Sequence, residues 1–392
     1  MFLIHLLLLF WLLVIAIQLI YILFCYVRTA FHHHKTSKEP ISDATRPGIT
    51  VVVCAWNELE NLRELIPLLA AQQYPKFEVL LMDDRSTDGT EEFLRQTVPA
   101  FHNVRTIRIS QVHDHVTAKK YALTIALKKA THPVVLLTDA DCRPASTRWL
   151  AGMVAQLSGP EQSLVLGFSP YLYEPGFLNF LIRSETLFTA VQYFSLTLTG
   201  FPYMGVGRNL LYRSALFFDN NGFYNHLTVL GGDDDLFVNE VATAQNTTVC
   251  LDPDTFTWSE PKHTRADWRH QKRRHLNVGK FYKSSHKIRL ALLVGSHVLT
   301  WLLGLAVGSW AGWLVGSEQS ARLTEPLLLL ATGAFGLRLL LFWGVVGRIS
   351  YRLAHTVHWA VVPVMDVMLA SYYGIMGSMT LFSRRKKIMT WR

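Results

Sequence analysis

Between residues 48 and 141 the chain alternates two hydrophobic rhythms. Residues 48–54 (GITVVVC) form a short β-branched run that predicts a strand. Residues 58–72 place Leu62, Leu65, Ile66 and Leu69 on one helical face. Residues 77–82 predict a second strand, and Ser86-Thr87-Asp88-Gly89-Thr90 a turn that starts a helix. A third strand follows at 104–109, a helix at 117–130, and a fourth strand at 133–137 ending in Thr138-Asp139-Ala140-Asp141. Strand and helix in alternation predict an α/β fold, a mostly parallel sheet with helices on both faces. Such sheets bind ligands at the carboxyl ends of their strands. Asp83-Asp84 and Asp139-Asp141 both fall there.

Other stretches have a membrane rhythm. Residues 2–27 are apolar apart from His5 and Gln18, enough to cross a hydrocarbon core of about 30 Å. No basic residue precedes the run and no small-residue cleavage site follows it, so an uncleaved anchor is expected. Arg28, Lys35, Lys38 and Arg46 follow, which places the next segment in the cytoplasm by the positive-inside rule. Residues 290–316, 325–347 and 355–382 are each long enough to span. Four simple spans put the basic tail (Arg384, Arg385, Lys386, Lys387, Arg392) outside, whereas the charge rule wants it inside. Pro363 and Asp366 therefore suggest a re-entrant or split last segment, the alternative being that one late segment lies in the interface rather than crossing. Arg338 and Asp366 are charges within apolar runs, read either as functional or as a mutual salt bridge between helices. Residues 174–203, rich in Phe, Leu and Tyr, suggest an interfacial helix that brings in a lipid, or else a core helix.

Composition sharpens this division. Of 392 residues 50% are hydrophobic and only 17% charged, against about 25% in soluble proteins. Mean hydropathy is +0.20. This balance argues against a wholly soluble enzyme and rules out a disordered chain. The net charge is +9, but the basic residues gather beside a membrane span, a pattern of lipid attraction rather than nucleic-acid recognition. Residues 265–289 alone hold nine Lys or Arg and one Asp. Cys25, Cys54, Cys142 and Cys250 lie far apart, which fits no zinc ribbon or disulfide scaffold.

The acidic groups carry the candidate chemistry. Carboxylates at 139 and 141 suit Mg²⁺ or Mn²⁺, hard ions that also bridge phosphate oxygens. A solvated turn accounts for such a pair equally well on its own. No P-loop or dinucleotide fingerprint is present. An aspartyl phosphotransferase usually has Thr or Val where Arg143 stands. Gly231-Gly232-Asp233-Asp234-Asp235-Leu236 packs three carboxylates against glycines. Such neighbours raise one another's pKa when partly buried and supply a candidate base. They also suit a helix N-terminus.

Taken together and in this order, the pieces resemble the membrane-anchored, inverting family 2 glycosyltransferases of GT-A fold, including ceramide-glucosyltransferase-like and poly-N-acetylglucosamine- or hyaluronan-synthase-like enzymes. The resemblance rests on Cys54-Ala-Trp-Asn57-Glu58, on Asp83-Asp84-Arg-Ser86-Thr-Asp88-Gly89-Thr90, on Ala118-Lys119, on Asp139-Ala-Asp141, on Gly207-Arg208-Asn209 and on Gln271-Lys-Arg-Arg274-His275. It implies a nucleotide-sugar site at Asn57, Glu58, Asp83, Asp84, Lys119, Asp139, Gln271 and Arg274. It implies metal on Asp139 and Asp141, a base at Asp233 or Asp234, and an acceptor site at Gly207, Arg208, Asn209 and His275. The family's glutamate before the base is absent. Alignment on Leu236 favours Asp233 and alignment on the acidic pair favours Asp234. His275 stands where membrane-integrated members have tryptophan, a departure that argues against processive synthesis.

The expected organisation is an anchor (1–28), a cytoplasmic GT-A domain (48–260), a basic interfacial segment (261–289), a transmembrane bundle (290–383) and a basic tail (384–392), in an inner or plasma membrane. The expected partners are a nucleotide sugar, the bilayer, and a membrane lipid or growing glycan as acceptor, with no nucleic acid. The expected reaction moves a hexose, from a UDP-sugar, to a lipid with inversion. The alternatives are a processive polysaccharide synthase and a catalytically inactive nucleotide-binding subunit.

Overall fold

The computed structural model describes residues 2–33, 47–111, 113–315, 317, 325–354 and 356–382. Lys35, Lys38, Arg46 and the tail lie outside them. The chain forms two compact units, one of residues 32–282 and one that joins the N-terminal helix to the helices after 283. The boundary falls inside the basic segment 261–289.

The first unit is built on a seven-stranded sheet. In chain order its elements begin β1 (Ile49–Ala55), α3 (Leu59–Ala70), β2 (Phe77–Asp84), α4 (Thr90–Thr97), β3 (Val104–Ile109), α5 (Ala118–Lys129) and β4 (Val134–Asp139). Then come β5 (Cys142–Pro144), α6 (Trp149–Val154), β6 (Leu164–Leu166), α7 (Phe177–Leu198), β7 (Leu210–Arg213) and α8 (Ser214–Asp219). It closes with α9 (Asp235–Val241), β8 (Thr247–Val249), β9 (Thr257–Ser259) and α10 (Arg265–Gly279). The sheet order is β3-β2-β1-β4-β7-β6-β8, with β5 and β9 as a separate pair. Strands β1 to β4 are parallel, while β7 runs antiparallel to β4 and β6. Val51, Val52 and Val53 are all buried because helices cover both faces. Leu62, Leu65, Ile66 and Leu69 turn the apolar face of α3 into the same core.

Register brings the acids together. Ala55 pairs with Asp83 and Cys54 pairs with Asp139, so three parallel strands end at one carboxyl edge.

Glu78 fastens the opposite end of the sheet. It accepts from Thr50 Oγ1 at 2.6 Å, Thr131 N at 2.7 Å and Arg105 Nε at 2.7 Å. Burial opposes its charge, but these donors outweigh it and hold the carboxyl at about 2, against an ordinary 4.5. Because the folded value is depressed, the stabilisation is complete above about pH 5 and is lost as pH falls from there through about 2. Glu78→Gln is expected to cost about 1 kcal/mol at pH 7, the net worth of one hydrogen bond. Thermal melts should show the wild-type advantage closing as the pH falls.

The segment 174–203 does not form an interfacial helix. Ile182, Leu187, Phe188, Val191, Phe194 and Leu196 of α7 are buried, the Tyr193 hydroxyl donates to Gly167 O at 2.9 Å, and Phe194 packs on Phe168. Apolar side chains on several faces require burial all round rather than on one side.

Among the described residues, the second unit holds four helices long and apolar enough to cross a membrane, at Phe2–Ala30, Ser284–Val315, Pro326–Arg352 and Trp359–Ser378. The first is α1 (Phe2–Ile20), a π-helical turn and α2 (Val27–Ala30), and the others are built on α11 (Ser284–Val315), α12 (Pro326–Arg352) and α13 (Val362–Phe382). The last segment is not split. Pro363 occupies the second position of α13, where a missing N–H breaks no helical bond. Asp366 and Arg338 form the mutual ion pair, with both side chains fully buried.

Candidate active site

The β1 and β2 ends interlock through their turns. Asn57 takes a left-handed backbone (φ 58°), donates its N–H to Ser86 Oγ at 2.9 Å and accepts from Thr87 N at 2.8 Å. Asp88 accepts from Leu59 N, Thr90 N and Thr90 Oγ1, and Gly89 supplies a φ of 94° at the start of α4. Asp83 is buried, accepts from Ser86 N at 3.1 Å and pairs with Arg108. Asp84 is held by Arg85 Nε at 2.7 Å. This network sets the turn at the carboxyl edge of the sheet, and both carboxylates are already engaged in it.

Lys119 lies at the centre. Its ammonium reaches Asp139 Oδ1 at 2.9 Å and Asp233 Oδ2 at 3.1 Å. Burial opposes its charge, but Asp139 and Asp233 prevail and raise its pKa well above the ordinary lysine value. Helix α5 thus joins two acidic motifs that lie far apart in sequence. The next residue, Lys120, is fully buried and donates to His226 O at 2.6 Å and Val229 O at 2.8 Å. It fixes the loop leading into Gly231 and Gly232, whose φ values of 80° and 73° turn the chain into Asp233. Buried lysines are rare, and nothing in the sequence distinguishes Lys120 from a solvated neighbour.

The three aspartates have three environments. Burial pushes Asp233 upward, but Lys119 and Lys120 outweigh it and hold the carboxyl below its ordinary value. Burial and the adjacent Asp233 charge raise Asp234. Burial and Asp234 raise Asp235 well above the usual range, although the Tyr282 hydroxyl donates to it at 2.8 Å. Asp234 caps α9, accepting from Asp235 N at 2.8 Å, and its other oxygen accepts from Gly207 N at 2.7 Å. A side chain at 207 would crowd that carboxylate, since a Cβ there would lie 3.1 Å from its oxygen.

Asp139 and Asp141 flank the turn after β4, both half-buried. Burial and the Asp139 charge raise Asp141, with Arg208 opposing. Glu58 stands in the same field. Burial raises it, the Asn61 amide opposes, and Asp141 and Asp139 add to the rise. No three His, Cys, Asp or Glu side chains among the described residues form a complete metal cage. Two carboxylates are nevertheless the protein's usual share of a Mg²⁺ or Mn²⁺ shell that substrate phosphates complete. The residues therefore fit a metal that arrives with a phosphorylated ligand.

The remaining candidates divide. Gln271 Nε2 donates to the Tyr171 hydroxyl at 3.3 Å, and Arg208 lies 4.4 Å above the same ring. Arg274 packs beside Gly231 and His275 is exposed. Asn209, by contrast, is fully buried. Its amide donates to Phe168 O at 2.9 Å and Thr255 O at 2.8 Å and accepts from Trp149 Nε1 at 3.0 Å. It holds the loop rather than facing a ligand. Tyr171 and Tyr282 carry no sequence signal, because single tyrosines in loops have no spacing to betray them.

Residues 50–216 match the family described as glycosyl transferase family 2. Glycosyltransferase AglE of Haloferax volcanii is 30% identical over 135 residues, 34% of this chain and 43% of the relative. The poly(ribitol-phosphate) β-N-acetylglucosaminyltransferase TarS of Staphylococcus aureus is 34% identical over 94 residues, 24% of this chain and 16% of the relative. The chain thus spans less than half the length of the curated relatives it matches. Mannosyltransferase PcManGT from Pyrobaculum calidifontis, solved in complex with GDP-Man and Mn²⁺, superposes with a TM-score of 0.53 at 17% identity, over 95% of this chain and 99% of that one. That likeness bears on the fold. With the carboxylates at the edge of the mostly parallel sheet, these matches make residues 50–216 similar to a family 2 glycosyltransferase domain and the fold GT-A.

Proposed function

We propose that the protein transfers a hexose from a nucleotide sugar, a UDP-sugar, to a membrane lipid with inversion at the anomeric carbon. The observation that carries the reading is the Lys119 bridge, which joins Asp139 and Asp233 in one cleft. The four apolar helices supply the reason for a lipid acceptor. On this reading the GT-A unit lies on the cytoplasmic side.

Asp233 acts as the base. A base must be ionised at rest, and the two lysines keep it so. Asp234 is the weaker candidate because each of its oxygens already accepts a backbone N–H. Asp233 takes the proton of the acceptor hydroxyl as that oxygen bonds to the anomeric carbon. The bond from that carbon to the diphosphate breaks on the opposite face, and its electron pair stays on the phosphoryl oxygen. A divalent ion on Asp139 and Asp141, when bound with the donor, would neutralise charge at the departing diphosphate. Lys119 orients Asp233 relative to Asp139, and Asn57 with the Asp83–Asp88 turn frames the nucleoside.

The test offers the detergent-purified full chain UDP- and GDP-sugars with Mn²⁺ and a total lipid extract. The expected product is a lipid heavier by one hexose from a UDP donor, with the β linkage from an α donor by proton coupling. A retained configuration, a polymer, or transfer to water alone would contradict the reading.

A further inference from the structure

Arg208 is held as though its backbone and side chain had separate tasks. It sits in the one-turn helix Gly207–Asn209 ahead of β7. Gly207 N–H is fixed on Asp234, the Asn209 amide is fixed in the core, and the Arg208 carbonyl accepts from Thr257 Oγ1 at 2.9 Å. The backbone is therefore pinned on three sides. The guanidinium carbon lies 4.4 Å from the centre of the Tyr171 ring, a cation–π contact that does not consume its N–H groups. Its Nη1 is buried and has no hydrogen-bond partner among the described residues. A buried, unpaired donor on a cation calls for an explanation, and a ligand is one. The anions in its field are Asp141 and Asp139, the pair suited to hold a metal with phosphate. Tyr171 accepts from Gln271, so the platform under Arg208 is tied to α10.

We infer that Arg208 binds the phosphoryl oxygens of the donor's diphosphate, and so belongs to the leaving-group side of the cleft rather than to the acceptor side. The inference rests on the nucleotide-sugar reading above. Guanidinium N–H groups match phosphate oxygens in a planar fork. When the sugar–phosphate bond breaks, its electron pair stays on the terminal phosphoryl oxygen and the diphosphate gains one negative charge. A cation already in place meets that charge without reorganisation. Tyr171 acts as a positioning residue that keeps the fork edge-on to the cleft.

The experiment titrates UDP, UMP, GDP and GMP into the full chain in detergent with Mn²⁺, by calorimetry, for wild type, Arg208→Gln and Tyr171→Leu. Wild type should bind one nucleoside diphosphate more tightly than its monophosphate. Arg208→Gln should reduce that preference at least tenfold and leave monophosphate affinity within about twofold. Tyr171→Leu, which keeps the charge and removes the platform, should reduce it less. In turnover the donor kcat/KM should fall while the acceptor KM stays constant. A preference retained in Arg208→Gln, with a raised acceptor KM instead, would overturn the assignment and return Arg208 to the acceptor. Wild type that binds none of the four nucleotides would refute the nucleotide-sugar reading itself, and the inference with it.

Discussion

Asp233→Asn is expected to lower kcat by about a thousandfold, within the range that a positioned base contributes. Asparagine keeps the volume and one oxygen for Lys119 but cannot take a proton. Donor affinity should change only a few-fold, because Lys119 keeps Asp139 as its partner. Asp234→Asn is the informative contrast. Its amide oxygen still accepts the Gly207 N–H, so the turn survives and turnover should drop by only about tenfold, the worth of roughly one weakened hydrogen bond. The acid limb of the wild-type profile should lie below the ordinary carboxylate range, since Asp233 is held low by the two lysines. Rate measurements at saturating donor decide the matter. The reverse order of losses would move the base to Asp234.

The second large effect lies in the helical unit. Arg338 of α12 pairs with Asp366 of α13 and donates to Gln18 Oε1 at 3.2 Å and His297 Nδ1 at 3.0 Å. The Trp301 and Trp343 indoles each donate to Asp366 at 3.2 Å, and Gln18 reaches Ser296 Oγ at 2.7 Å. One polar knot therefore joins all four long helices. Arg338→Met leaves Asp366 buried without its cation and should cost about 3–5 kcal/mol. The double change Arg338→Met with Asp366→Leu removes both charges and should recover most of that loss, because paired apolar replacement of a buried ion pair is often near neutral. Melting temperatures in detergent distinguish the three proteins, with tryptophan fluorescence as the signal. A double variant no better than the single one would mean that the knot stabilises through its wider hydrogen bonds instead.

Much of the catalytic fold was legible because its first half follows simple periods. Strands β1, β2 and β4 carry short apolar runs, β3 alternates apolar and polar residues, the face of α3 repeats at helical spacing, and acids end β2 and β4. The antiparallel β6 and β7 and the pairing of β5 with β9 carry no comparable pattern, since runs of three or four residues are too short to show a period. Helix α7 was read toward the membrane because an apolar stretch looks alike in a core and at an interface. The site followed the same rule. Contiguous motifs such as Asp139-Ala-Asp141 were visible, whereas Lys120, Tyr171 and Tyr282 act through contacts across the fold. Asn209 was visible for a different reason from the one expected, because its amide holds three distant segments together. The ion pair of Arg338 and Asp366 was legible because charge in an apolar run needs a partner.

The most direct test of the central claim is metal-dependent nucleotide release. The full chain and Asp141→Ala would be given the donor panel with lipid extract, with Mn²⁺ or with EDTA. The wild type with Mn²⁺ is expected to release nucleotide from one class of nucleotide sugar, with background release in EDTA and in Asp141→Ala under both conditions. Release that survives EDTA and the loss of Asp141 would contradict the claim.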